Sequence, residues 1–272
     1  MSQLLSRMFK GLSSATFGLR YGLDGLLYDR KRWSTTFAAL KNCANGGPVL
    51  VVGNGPSLNK TPLDEFAAVT SIGMNKIDML YPRVTWRPTL VMTMNAVVVK
   101  QHGDTIVNVN DQAFISFKTR HFLSKNSRDK AKFFLEKPGT PFSTDPSKYV
   151  ALGPTVTYSA LQMAYWMGAD PVILFGVDHS FKFAGSPLAY EKMKGDDPNH
   201  FDPNYFKDSL WGAPDNVGME RCYAESRHAF ERDGRRILDA TIDGKLQIFE
   251  KISLDEAFSQ CGIAQPLNSA GC

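Results

Sequence analysis

Three kinds of residue in this chain stand where chemistry would need them: a glycine turn, asparagines that end apolar runs, and two histidines close to carboxylates. The turn "VVGNGPSL" follows Val49–Val52 and holds Gly53, Asn54, Gly55, Pro56 and Ser57. Two glycines there let backbone N–H groups approach an anion or a nucleotide, while Asn54 and Ser57 offer side-chain hydrogen bonds. A sharp strand-to-helix turn with no ligand fits the same residues. The stretch is not a dinucleotide fingerprint, because Leu58 stands where GxGxxG needs its third glycine, and it lacks the GK[ST] of a P-loop.

Asn75 and Asn95 end two later apolar runs, and Gly176, Asp178 and His179 follow another. Asparagine is common at strand ends for its turn chemistry. Its amide also has donor and acceptor edges, so it can read a base, a ribose or a sugar without adding charge. Among the five histidines, His102, His121 and His228 fit surface positions. His200, in "DDPNHFDPNYF", is flanked by Asp196, Asp197 and Asp202, which suits a general base. His179, directly after a strand end, competes for that role. These clusters lack the spacing of a metal site on a regular element.

The elements that must hold these residues follow from apolar periodicity. Strands are predicted at "PVLVV", "VTSIGMN", "TLVMTMN", "AFISF" (113–117), Pro171 to Phe175, "RRILDAT" and "LQIF". Helices are predicted from Ser34 to the Gly46-Gly47 stop, from Pro62 to Ala68 behind a Thr61 cap, and from Thr155 to Met167 closed by Gly168. Two more are predicted over "MERCYAESRHAFERDG" and from Ser253. Residues 118–152 read as an excursion from the sheet. Residues 180–215, rich in Gly, Pro, Asp and Asn, read as a lid-like segment. Apolar strands alternating with helices define an α/β, Rossmann-like domain with a largely parallel sheet and helices on both faces. In such sheets ligands bind beyond the C-terminal strand ends, where the polar residues above lie.

Composition narrows the function. The 272 residues are 43% apolar and 21% charged, as in an ordinary globular protein. A net charge of +4 from interspersed residues forms no basic stripe, so nucleic acid is not an expected partner. Cys43, Cys222, Cys261 and Cys272 show no CxxC spacing, which fits a reduced, cytoplasmic compartment. No run reaches the roughly 18 to 20 apolar residues of a membrane span.

The organisation expected is a basic, amphipathic N-terminal segment (1–33), a main domain (34–260) and a C-terminal tail (261–272). In the first segment Leu4, Leu5, Met8, Phe9 and Leu12 recur at helical steps among Arg7, Lys10 and Arg20. Peripheral contact with the inner face of a membrane and packing against the body or a subunit partner are both open there. Gly11, Gly18, Gly22 and Gly25 weaken a continuous interfacial helix and favour packing.

Taken together, "VVGNGPSL", the "MN" pairs that end two strands, and "GPTVTYSALQMAYWMGADPVILFGVDHSF" resemble bacterial sialyltransferases of the lipooligosaccharide type. They also resemble a wider group of bacterial glycan-assembly proteins. The likeness covers roughly 48–100 and 150–182, with a weaker echo at 195–260. It implies a cell-envelope glycosyltransferase of lipopolysaccharide or capsule synthesis that uses a CMP-linked nonulosonic acid or Kdo, with a glycan acceptor. Transfer would be inverting and metal-independent, without a cofactor.

By the same likeness Gly53, Asn54, Gly55, Pro56 and Ser57 would line the nucleotide pocket, and Asn75 and Asn95 would bond the donor sugar or its phosphate. Thr155 would start the helix facing the donor, and Gly176 and Asp178 would lie beneath the nucleoside. His200 would be the base, and Tyr190 and Tyr205 would take charge from the departing phosphate. The chain departs from the family at His179-Ser180-Phe181, where a tyrosine is expected. The 6-hydroxymethylpterin diphosphokinase-like proteins share the turn and imply a different class, diphosphate transfer from ATP with Mg²⁺. A structural member that has kept only the fold is the third reading.

Overall fold

Val49–Val52 form strand β1, and all four side chains are buried. A strand apolar on both faces belongs inside a parallel sheet. The computed structural model describes residues 22–183 and 189–264 of the chain. The expected apolar repeat at Leu4 to Leu12 and the residues from 265 onward lie outside the described residues.

The first half of the domain runs through helix α1 (22–27), α2 (Arg30–Leu40), β1, β2 (Ser71–Met74), β3 (Leu90–Thr93), α3 (Ala96–Val109), β4 (Ala113–Ser116), α4 (Lys125–Lys130) and β5 (Lys132–Phe134). The second half runs through β6 (Glu136–Lys137), β7 (Val150–Ala151), α5 (Val156–Trp166), β8 (Val172–Phe175), β9 (Tyr190–Lys192), β10 (Leu210–Gly212), α6 (Asn216–Arg232), β11 (Ile237–Asp239), β12 (Glu250–Lys251) and α7 (Leu254–Gln260). Among the described residues, eight strands join in one parallel sheet of order β12-β11-β8-β1-β2-β3-β4-β5. The chain walks outward from β1 to β5, then returns to the other side of β1 at β8. The order therefore reverses between β1 and β8, and a ligand crevice is expected there.

Helices cover both faces. On one, α5 lies across β1, β2 and β3 with α6 beside it. Trp166 at its end donates from Nε1 to the Phe37 carbonyl of α2 (2.8 Å). On the other, Phe66 stacks on Phe258 of α7 (4.7 Å) and tilts against Phe175 of β8 (5.0 Å). This is the α/β, Rossmann-like architecture the apolar runs predict. Among the described residues no helix is long and apolar enough to cross a membrane.

Several boundaries differ from the sequence reading, each for a local reason. Helix α2 begins at Arg30, because Asp29 caps it by accepting from the amides of Lys31 and Arg32. Ser34, the expected cap, sits inside the helix and donates to the Lys31 carbonyl. The helix expected at 62–68 is a 3₁₀ turn, Leu63–Phe66, with no side-chain cap. Its Asp64 instead accepts from the amides of Thr85 and Trp86 (both 2.7 Å). The polar stretch 118–152 is not wholly an excursion, since β5 forms an edge of the main sheet. "LQIF" does not pair, and the strand lies just after it at Glu250–Lys251. The cap at Ser253 is as expected and is a reciprocal capping box with Glu256.

Candidate functional site

The glycine turn is built by close approach of two strand-end loops. A Cβ on Gly53 would lie 2.2 Å from the Gly176 carbonyl oxygen, and one on Gly55 would lie 1.8 Å from Asp178 Oδ2. Only glycine fits at either place. The amide of Gly53 donates to the Phe175 carbonyl (2.7 Å) and that of Gly55 to the Gly176 carbonyl (2.9 Å). Ser57 donates its amide to Asp178 Oδ1 (3.0 Å) and its hydroxyl to Oδ2 (2.6 Å).

The turn's amides at 53, 55 and 57 thus bind the neighbouring loop, which corrects their expected use as a cradle for an anion. Pro56 and Ser57 do not line the cleft, whereas Gly53, Asn54, Gly55, Gly176 and Asp178 do. Burial raises the pKa of the Asp178 carboxyl, and its bonds from Ser57 pull it part of the way back. Asn54 donates from Nδ2 to the Met74 carbonyl (3.0 Å).

The cleft above this turn has a volume of about 450 Å³, the size of a small-molecule site. Asn75, Asn95 and Thr155 all line it. Each also has a structural task. Asn75 adopts φ +51°, which asparagine tolerates better than most residues, and its Oδ1 accepts from the Thr93 hydroxyl (2.8 Å). Asn95 caps α3 by accepting from the amides of Val97 and Val98 (2.9 and 3.3 Å), and Thr155 caps α5. In both asparagines it is Oδ1 that carries these bonds. The first residues of α3 and α5 are in the wall, as are Pro214 before α6 and Met219 within it. Helix N-termini favour a negatively charged occupant, and Lys118 adds a cation to the same wall.

The lid closes one side. Phe201 donates its amide to the Asn54 carbonyl (2.9 Å) and accepts from Asn59 Nδ2 (2.9 Å), which pins residues 199–206 over the glycine turn. Asn199, His200, Phe206 and Trp211 join the wall from this segment. The lid carries its own antiparallel pair, β9 with β10. Asp197, buried, holds His200 Nδ1 at 2.8 Å, and the His200 ring stacks flat on Tyr205 (4.0 Å, 4°).

Tyr205 itself is fully buried beneath the cleft. Its hydroxyl accepts from the Lys76 amide (3.1 Å), and its carbonyl accepts from Lys76 Nζ (2.7 Å). Burial drives that hydroxyl's pKa far up and lowers that of the Lys76 ammonium. Tyr205 therefore supports His200 and does not offer a hydroxyl to the cleft, a correction to the sequence reading. Tyr190 lines the mouth and is exposed.

His179 lies on the same wall as His200, at φ +53°, with Nε2 3.0 Å from Glu220 Oε1. His121 and His228 are exposed, as expected. His102 departs from its expected surface position: it is half-buried on α3 and pairs with Asp78 (2.7 Å). Sequence reasoning missed Lys118, Asn199, Trp211 and Tyr223 as wall residues, which no motif marks. Among the described residues no group of three or more His, Cys, Asp or Glu side chains is placed to hold a metal ion.

No protein-family model and no curated protein sequence matches this chain. Among solved structures it is similar to one described as the MAf glycosyltransferase from Magnetospirillum magneticum AMB-1. The similarity is 15% identity and a TM-score of 0.45, over 80% of this chain and 36% of that one. The chain thus spans about a third of that protein.

Proposed function

We propose that the chain is a glycosyltransferase that moves an acidic sugar, of the nonulosonic acid or Kdo type, from a CMP-linked donor to a hydroxyl of a cell-surface glycan. The observation that carries this reading is the His200–Asp197 pair, held by a lid over a cleft at the β1–β8 reversal. Asp197 accepts from Nδ1–H, which leaves the Nε2 lone pair for an acceptor proton. The freed oxygen attacks the anomeric carbon, the bond to phosphate breaks, and the configuration inverts. Transfer in this reading needs no metal.

The anionic donor suits a wall made of helix starts and Lys118. Asn54, Asn75 and Asn95 give neutral hydrogen bonds for its ribose and sugar hydroxyls. Residues 34–260 form the catalytic unit in this reading.

Thermal unfolding in the presence of CMP, UDP, GDP or ATP, with and without Mg²⁺, tests the proposal. CMP at a hundredfold excess over its Kd is expected to raise Tm by roughly 5–10 °C without Mg²⁺. A response to ATP that requires Mg²⁺ would move the chain to diphosphate transfer. No response to any nucleotide would leave the structural reading.

A further inference from the structure

Two buried polar atoms in residues that line the cleft have no hydrogen-bond partner among the described residues: Asn54 Oδ1 and His179 Nδ1. They belong to the two loops that meet at the β1–β8 reversal. The His179 side chain is only 6% exposed. Glu220 holds its other nitrogen, Nε2, at 3.0 Å, and the rings of Phe181 and Tyr223 stand edge-on to it, each 6.2 Å away. A buried nitrogen that has lost water and gained no partner is costly, and a histidine at positive φ is uncommon. A ligand that supplies the missing partner removes the first of these costs.

Resting on the nucleotide-donor reading above, we infer that His179 Nδ1 binds the phosphate of the donor and of the released nucleotide. His179 pairs with Glu220 of α6 near that helix's start, and Thr155 at the start of α5 lines the same cleft. The start of α5 favours an anion there, and a proton on His179 Nδ1 offsets the Glu220 carboxylate. With Nε2–H given to Glu220, Nδ1 and a phosphate oxygen share one proton, carried by the ring or by the phosphate. During transfer the bond from the anomeric carbon to the phosphate oxygen breaks, and its electron pair stays on that oxygen. The proton shared with Nδ1 neutralises the new charge, while His200 takes the proton of the attacking hydroxyl. Asn54 Oδ1, an acceptor only, takes a ribose hydroxyl.

Calorimetric titration with CMP and with cytidine separates phosphate recognition from nucleoside recognition. His179→Gln removes the Nδ1 position but keeps an amide able to reach Glu220. It is expected to weaken CMP at least about tenfold and leave cytidine within about twofold. Glu220→Gln, at a half-exposed position with little risk to folding, should weaken CMP several-fold in the same selective way. If folded His179→Gln and Glu220→Gln leave the ratio of CMP to cytidine affinity unchanged, the assignment is overturned. If the unaltered protein binds neither compound, the donor reading fails, and this inference fails with it.

Discussion

At the strand ends, much of the side-chain hydrogen-bonding capacity is spent on the protein's own groups. Ser57 gives both its donors to Asp178, Asn75 takes the Thr93 hydroxyl, and Asn95 caps α3. In the lid, by contrast, Asp197 holds only one nitrogen of His200, whose ring lines the cleft, and the proposed reading gives the other the acceptor proton. His179 stands between these regimes, anchored through Nε2 and unpartnered at Nδ1. In the proposed reading the hydrogen-bonded strand-end rim is the floor that shapes the cleft, and the groups that move protons stand above it. Catalytic sites commonly divide labour this way, with fixed scaffolds below and reactive groups on loops.

Breaking the lid side should have the largest effect. His200→Gln keeps a polar side chain in the cleft but removes the base. It is expected to lower kcat by roughly a hundred- to ten-thousandfold, with CMP affinity within about twofold of the unaltered protein. Steady-state kinetics paired with titration checks this, and equal losses of both quantities would return His200 to the floor. Breaking the floor should cost stability instead. Gly53→Ala pushes a methyl into the Gly176 carbonyl, so chemical denaturation should show a loss of about 1–3 kcal/mol.

The two roles of Asn95 can be separated. Asn95→Ala should cost about 1 kcal/mol through the lost cap of α3. Asn95→Asp keeps the cap and should retain stability within about 0.5 kcal/mol, yet weaken donor binding by replacing Nδ2–H with a charge.

The smallest effect is a dependence on pH. Burial holds the folded-state pKa of Asp178 above its ordinary value, so the fold keeps a proton that the unfolded chain releases. Stability from this group is present below about pH 3.9 and declines as pH rises from there through the raised value. Asp178→Asn should flatten that decline in urea midpoints taken across roughly pH 4 to 7.

The floor was far more legible in sequence than the lid. Strands β1, β2, β3, β4 and β8 are four-residue runs buried at every position, so apolar clustering marks them. Their ends carry the turn and capping residues that strand ends need, which is why Asn54, Asn75, Asn95 and Asp178 stood out. All four line the cleft, but sequence alone does not separate their structural tasks from ligand contact, because turn chemistry and ligand chemistry use the same side chains.

Helix α3 went unread because Val97, Val98 and Val99 are β-branched and look strand-like, while its cap is Asn95, already assigned to a strand end. Strand β5 has only Lys132, Phe133 and Phe134, too short for any period. The lid's strands pair across a long loop, so their register is set by tertiary contact. Within that loop the carboxylates flanking His200, namely Asp196, Asp197 and Asp202, carried a signal, and the structure selects Asp197. The burial of Tyr205 under the His200 ring had none, since both tyrosines of the segment look alike in sequence.

In the proposed reading the reversal between β1 and β8 holds the donor while the lid supplies the base. A crystal structure with an inert fluorinated CMP-sugar tests it most directly. The nucleotide is expected across Asn54 and Gly176, its phosphate at His179, and the anomeric carbon facing His200 Nε2. A donor bound away from this crevice, or bound within it with His200 turned from the sugar, would contradict the account.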